Sequence, residues 1–270
     1  MAGVSSPPVP PPPAAATPAR PTPAPSPTRS GEIRDTGTVR RDSVNAERWS
    51  AGGTVKVTGD VSVGHGQWDG TVAIGGKLTA GAARSHGTLE VGGPVEVTGS
   101  FVTSGSFHAG GPLHAGDADL RGDVHVTGAV SVDRALSVRG LLNAPSLTVG
   151  GFAFQGEAHV PGDVVGPSVS ADFSRDSELG TVRASRVRLR AKGPSLVGKV
   201  MGREVTVTVQ RVEADSVDLE GVNVQFVRAP EIVLGRDAHV TEYEGTIVRR
   251  HPSSRVGFES RSPKPYGLRR

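Results

Sequence analysis

Between Thr54 and about Val165, apolar and polar residues alternate in short runs that return about every seventeen positions. The runs read TVKVTGDVSV, TVAIGGKLTA, TLEVGGPVEV, SFHAGGPLHA, DVHVTGAVSV, LLNAPSLTV and EAHVPGDVV. A small or turn-forming residue marks the centre of each: Gly59, Gly76, Gly93, Gly111, Gly128, Pro145 and Gly162. One apolar column ahead of the marker runs Val55, Val72, Leu89, Phe107, Val124, Leu142, Ala158. A second begins at Val57 and Ile74, and a third, behind the marker, at Val61 and Leu78. Alternation of this kind sends every second side chain to one face of a strand. A fixed period of this length stacks like residues on like. The pattern predicts an all-β fold: a single-stranded parallel β-helix, a solenoid of about 17 residues per turn, with disordered tails.

The remaining side of each turn is less regular. It carries Trp68, Phe101, Leu120, Leu136, Phe152 and Phe154, several of which are expected to close a third wall, and ends at Gly70, Gly87, Gly105, Gly122, Gly140 and Gly156, suited to tight corners. Three walls imply a roughly triangular section.

Along the chain, residues 1–30 form a proline-rich tail, with eleven prolines among the twenty-one positions from Pro7 to Pro27. Such a stretch has no apolar face to bury and is expected to be disordered. It is a spacer or a docking segment for protein partners. Residues 31–52 read as a linker and N-terminal cap, with Trp49 part of a lid on the open end. The β-helix is expected over 53–248, irregular near 166–211. There SADFSRDSELG reads as a lengthened corner and LRAKGPSLVGKVMGREVTVTVQ as a hairpin or irregular coil. A phrase V-x-A-x-x-V-x-L restarts at Val182, Val212 and Val227. Its spacings of 30 and 15 predict shorter turns of 15, so ten to twelve coils in all. Residues 249–270 read as a basic flexible tail.

Composition narrows the function. Aromatic residues are 4% of the chain and hydrophobic residues 36%, with 37 glycines. That suits the narrow interior of a solenoid better than the thick core of an α/β enzyme. Without cysteine, disulfides, thiolate metal sites and thiol nucleophiles are excluded. No apolar run of spanning length, signal peptide or myristoylation pattern is present, so a cytoplasmic protein is expected. The net charge of +3 is too small a bias to suggest nucleic acid as a partner.

Candidate chemistry is sparse. His108, His125 and His159 share an outward column with Lys56, Ala73, Glu90 and Asn143. A catalytic zinc needs three protein ligands and an open position, so the column reads as a solvated face. The chain is expected to need no metal or cofactor. Arg183, Arg186, Arg188 and Arg190 form a basic patch that could hold phosphates or anionic lipid, but without stacking aromatics it too reads as a solvated face. Hexapeptide acyltransferases and carbonic anhydrases keep eighteen residues per turn on three equal sides. This chain does neither, and it reads as a non-enzyme.

SAGGTVKVTGDV, the recurring V-x-V-T-G phrase and VEADSVDLEGVNVQFVRAPEIVLGRDAHVTEYEGTI resemble the bactofilins, the polymer-forming cytoskeletal proteins. Leu234-Gly235 and Thr241-Glu242-Tyr243 stand where that family has an Ile-Gly and a Val-Glu-Tyr-like segment. Arg228-Ala229-Pro230 replaces the family's Arg-Gly turn. The proline-rich leader differs from the short leader that anchors some members to membranes, so membrane contact has no support. The resemblance implies nucleotide-independent filaments, built end to end from stacked β-helices, that position other proteins. The polymer contacts would then fall at the ends of the solenoid, on Trp49, Val55 and Val57 at one and on Val240, Tyr243, Ile247 and Val248 at the other. A non-polymerising adaptor that recruits partners through its tails is the first alternative, and a β-helix acyltransferase-like enzyme the second.

Overall fold

The computed structural model describes residues 30–191 and 205–260. Almost all of the proline-rich leader, residues 192–204 of the proposed hairpin, and the last ten residues of the basic tail lie outside them. Fourteen strands stack in chain order in one parallel sheet, each paired to the next. Seven of them are β2 (Val44–Val57), β3 (Val61–Ile74), β4 (Leu78–Val91), β5 (Val95–Ala109), β6 (Leu113–Val126), β7 (Val130–Asn143) and β8 (Leu147–Val165). Among the described residues there is no helix, hence none able to cross a membrane.

The columns read from the sequence are the ladders of this sheet. Val55 lies opposite Val72, Val72 opposite Leu89, and the series continues through Phe107, Val124 and Leu142 to Ala158. All seven are buried, as are Trp68, Phe101, Leu120, Leu136, Phe152 and Phe154 on the third wall. The markers align as well: the Gly76 N–H donates to the Gly59 carbonyl and the Gly93 N–H to that of Gly76, both at 3.1 Å. The solenoid with about 17 residues per turn is therefore the observed fold.

Glycine is required at the third-wall corner. Gly87 has φ +116, and a Cβ there would lie 2.2 Å from the carbonyl oxygen of Gly70 on the coil before. A side chain is barred both by backbone conformation and by the close approach of the neighbouring coil.

The solenoid is longer than expected at both ends. Residues 31–52 are not a linker. β1 (Ser30–Arg41) lies in register on β2, with Ile33 opposite Trp49 and Val39 opposite Val55. Nor is the tail free from residue 249. β13 (His239–Arg250) is followed by β14 (Arg255–Glu259), where Val256 lies opposite Val240. Each end adds part of a coil, which gives about thirteen turns rather than ten to twelve. At about 4.8 Å per strand, fourteen strands make a rod roughly 6 nm long.

The irregular region is also clarified. β9 (Ser168–Phe173) and β10 (Ser177–Ala191) are separated by the lengthened corner, where the chain takes two extra residues: Gly156 lies opposite Phe173 but His159 opposite Glu178. β11 (Val207–Glu220) then pairs directly with β10, Val182 opposite Val212 and Leu189 opposite Leu219. The spacing of 30 is one step of the stack, not two turns of 15, because β10 and β11 pair directly with each other. Short turns follow only afterwards: β12 (Asn223–Leu234) places Val227 opposite Val212, fifteen residues on.

Candidate functional site

The surfaces that differ from the repeating body are its two ends. In the first coil the inward positions are Ile33, Asp35, Val39 and Arg41, so two of four are charged where later coils are mostly apolar. Asp35 is buried and accepts hydrogen bonds from Arg41 Nη2 at 2.7 Å, Arg41 Nε at 2.8 Å and Trp49 Nε1 at 2.9 Å. The Arg41 guanidinium holds the Asp35 carboxyl below the usual carboxylate range, against the opposing effect of burial. Trp49 packs edge-on against Trp68, ring centroids 5.5 Å apart. Thus Trp49, Val55 and Val57 are interior residues of the second coil, covered by β1, and cannot form the terminal surface. That place passes to β1 itself, whose outer edge has no partner strand among the described residues.

At the other end β14 covers only part of the last full coil. Val240 is buried beneath Val256 and so is withdrawn from the terminal surface. Tyr243 and Ile247 are half-buried, whereas Val248 is 56% exposed. Val248 bulges from the ladder, because Ile247 faces Ile232 while Arg249 faces Val233. Beyond Tyr243 the edge of β13 carries no partner strand among the described residues. Phe258, which the sequence pattern did not single out, stands 60% exposed on β14. It escaped notice because its stretch lies outside the regular repeat.

Arg250 is equally unforeseen. It occupies the same inward column as Leu189, Leu219 and Leu234, and its Nη2 donates to the Ser254 carbonyl at 3.1 Å. A charge at an apolar register position ends the column as Asp35 begins it.

The basic patch is largely neutralised. Arg183 bridges Asp163 at 2.7 Å and Glu213 at 3.2 Å, Arg188 meets Asp218 at 3.7 Å, and Arg190 meets Asp218 and Glu220. Burial works to raise the Glu213 pKa, but hydrogen bonds from Arg211 and Arg183 overcome it and lower the net value. Of the four arginines only Arg186 has no ion pair among the described residues. The patch is a ladder of exposed ion pairs, with little excess charge for phosphate or anionic lipid.

His108 and His125 are brought together on adjacent coils, rings parallel within 3° and 4.9 Å apart, while His159 sits one coil beyond Asn143 and pairs with Glu157. Among the described residues no group of three or more His, Cys, Asp or Glu is arranged to hold a metal ion. A shallow recess of about 590 Å³ on the outer face is lined by Glu213, Asp215, Arg228 and Glu244 beside Ala184, Ala214 and Ala229. Its Arg228 and Glu244 are 3.4 Å apart. No family model, curated protein or solved structure matches the chain.

Proposed function

We propose that the chain is a structural scaffold of the bactofilin kind: a short rod that associates end to end without nucleotide, positions other proteins in the cytoplasmic cytoskeleton, and has no catalysis of its own. The observation that carries this reading is the C-terminal coil. There Thr246–Arg250 of β13 have no further partner strand among the described residues on the outer side, and they lie beside half-buried Tyr243 and Ile247 and exposed Val248 and Phe258. An open strand edge flanked by apolar side chains is a template for pairing with another chain. The stacked body supplies the stiffness that a spacer needs, since each coil contacts only its neighbours and the rod grows by repetition. The sequence resemblance adds support from a separate direction.

Negative-stain microscopy and sedimentation velocity of the purified chain at physiological salt test the reading. Filaments or long oligomers are expected, and Ile247→Arg or Val248→Arg should disperse them. A wild-type chain that stays a single rod at all concentrations would end the proposal.

One observation favours the adaptor reading. Asp35 and Arg41 put a paired charge at the N-terminal end, where a docking copy would have to bury it, and burying ionic groups is costly. A rod closed at that end would carry partners rather than polymerise.

A further inference from the structure

His108 and His125 open into a recess of about 260 Å³ on the outer face, and Glu90 and Asp123 line the same recess. No lysine or arginine lines it, and neither carboxylate makes an ion pair among the described residues. Elsewhere on the surface, acids are matched by neighbouring bases, as Glu213 is by Arg183 and Arg211. Here two negative charges meet two imidazoles and no fixed cation. Register explains the gathering. Glu90 lies opposite His108 and His108 opposite His125 on successive coils. Asp123 precedes His125 by two residues and so shares its face of β6.

The histidine pair itself is also a product of register. His65 faces Arg48 and Ala82, His114 faces Glu96 and Ser131, and His239 faces Asn223 and Arg255, whereas His108 and His125 face each other. Imidazole nitrogens bind zinc at about 2.0–2.1 Å, so two of them on one ion stand at most roughly 4 Å apart. The two rings are parallel within 3° with centroids 4.9 Å apart. A modest tilt of each toward the other reaches that spacing, and both side chains are exposed, so no packing opposes it.

From this we infer that His108 and His125 form a two-imidazole site for a divalent transition ion, copper(II), nickel(II) or zinc(II), with water in the remaining positions. Imidazole selects these ions, whereas calcium and magnesium prefer oxygen ligands. Glu90 and Asp123 stay outside the ligand set, since no three such groups among the described residues are placed to hold an ion together. They attract the cation and accept hydrogen bonds from its waters. Two protein ligands make neither a closed structural zinc centre nor a three-ligand catalytic one. What they do is tie β5 to β6 across the stack. An ion that binds the stacked coils but not the unfolded chain stabilises the rod. The site lies within one chain and does not depend on the scaffold reading.

Asparagine is the substitution to use, because Asn143 already occupies the next position of the same column. Full-length protein is stripped with EDTA and titrated with copper(II), followed by electron paramagnetic resonance, and with zinc(II), followed by thermal melting. The wild type should bind one copper(II) per chain with splitting from two imidazole nitrogens, and zinc(II) should raise its melting temperature. His108→Asn and His125→Asn should each lose the two-nitrogen spectrum and the zinc-dependent shift, while His65→Asn keeps both. The Glu90→Gln, Asp123→Asn double variant should bind several-fold more weakly with the spectrum intact; an altered spectrum would overturn the two-imidazole ligand set. Titrations and spectra that are the same in the His108→Asn, His125→Asn double variant would overturn the site outright. Sedimentation velocity separates a further case. One ion for every two chains, with dimers that form only when zinc(II) is present, would place the ion between copies and overturn a site within one chain.

Discussion

The indole N–H of Trp49 donates to the carboxylate of Asp35 across 2.9 Å, tying the first coil to the second from inside the solenoid. Because Asp35 also pairs with Arg41, its folded pKa lies below the ordinary carboxylate value. A lowered carboxylate pKa contributes stability that is present above the unfolded value and lost as pH falls through the folded one. The N-terminal coil should therefore loosen in acid, below the usual carboxylate range, before the body does. Tryptophan fluorescence and hydrogen exchange followed against pH would show it. Asp35→Ala should lower stability at neutral pH by about 1–3 kcal/mol by stranding the Trp49 donor, and should abolish that early acid transition.

Gly87 and Gly52 provide a paired test of the corners. An alanine Cβ at Gly87 would collide with the Gly70 carbonyl in a left-handed conformation, whereas at Gly52 nothing lies within 4 Å. Gly87→Ala should cost on the order of 1–3 kcal/mol or more, and Gly52→Ala should be close to neutral. Thermal melts by circular dichroism distinguish them.

Phe107 tests the coil-on-coil interior. It is buried, stands between Leu89 and Val124 in its column, and meets Phe101 edge-on at 5.0 Å. Phe107→Ala should lose about 3–5 kcal/mol. Because stability in a solenoid is passed between neighbours, hydrogen exchange should rise first in β5 and the strands on either side.

The arginine ladder predicts weak anion binding. Vesicles rich in phosphatidylglycerol and immobilised heparin should retain the wild-type chain poorly at physiological salt. Arg186→Gln should change retention little. Strong retention lost on Arg186→Gln would instead identify a binding face that the ion pairs do not suggest.

Much of the body was legible because its information is local and repeated. Val55, Val72 and Leu89 announce their stacking by spacing alone, and Gly70 and Gly87 mark corners that only glycine can turn. The ends were not legible, because end coils break the pattern that reveals the others. β1 places Asp35 and Arg41 inward, so it read as a polar linker, and β14 follows the tight turn at His251–Ser254 with Phe258 facing solvent. The jump from Val182 to Val212 was ambiguous for a related reason: thirty residues fit one long coil or two short ones equally well, and periodicity cannot choose between them.

The sequence by itself determined the winding, since side-chain alternation and a constant repeat leave stacked coils as the one arrangement that buries every apolar column. Only the tertiary structure decided where the winding stops and what its ends present. Ion pairs such as Arg183 with Glu213 join residues thirty positions apart, and the hydrogen bond from Trp49 to Asp35 depends on how one coil lies upon another. Those contacts follow from register across coils, a property that no single repeat contains.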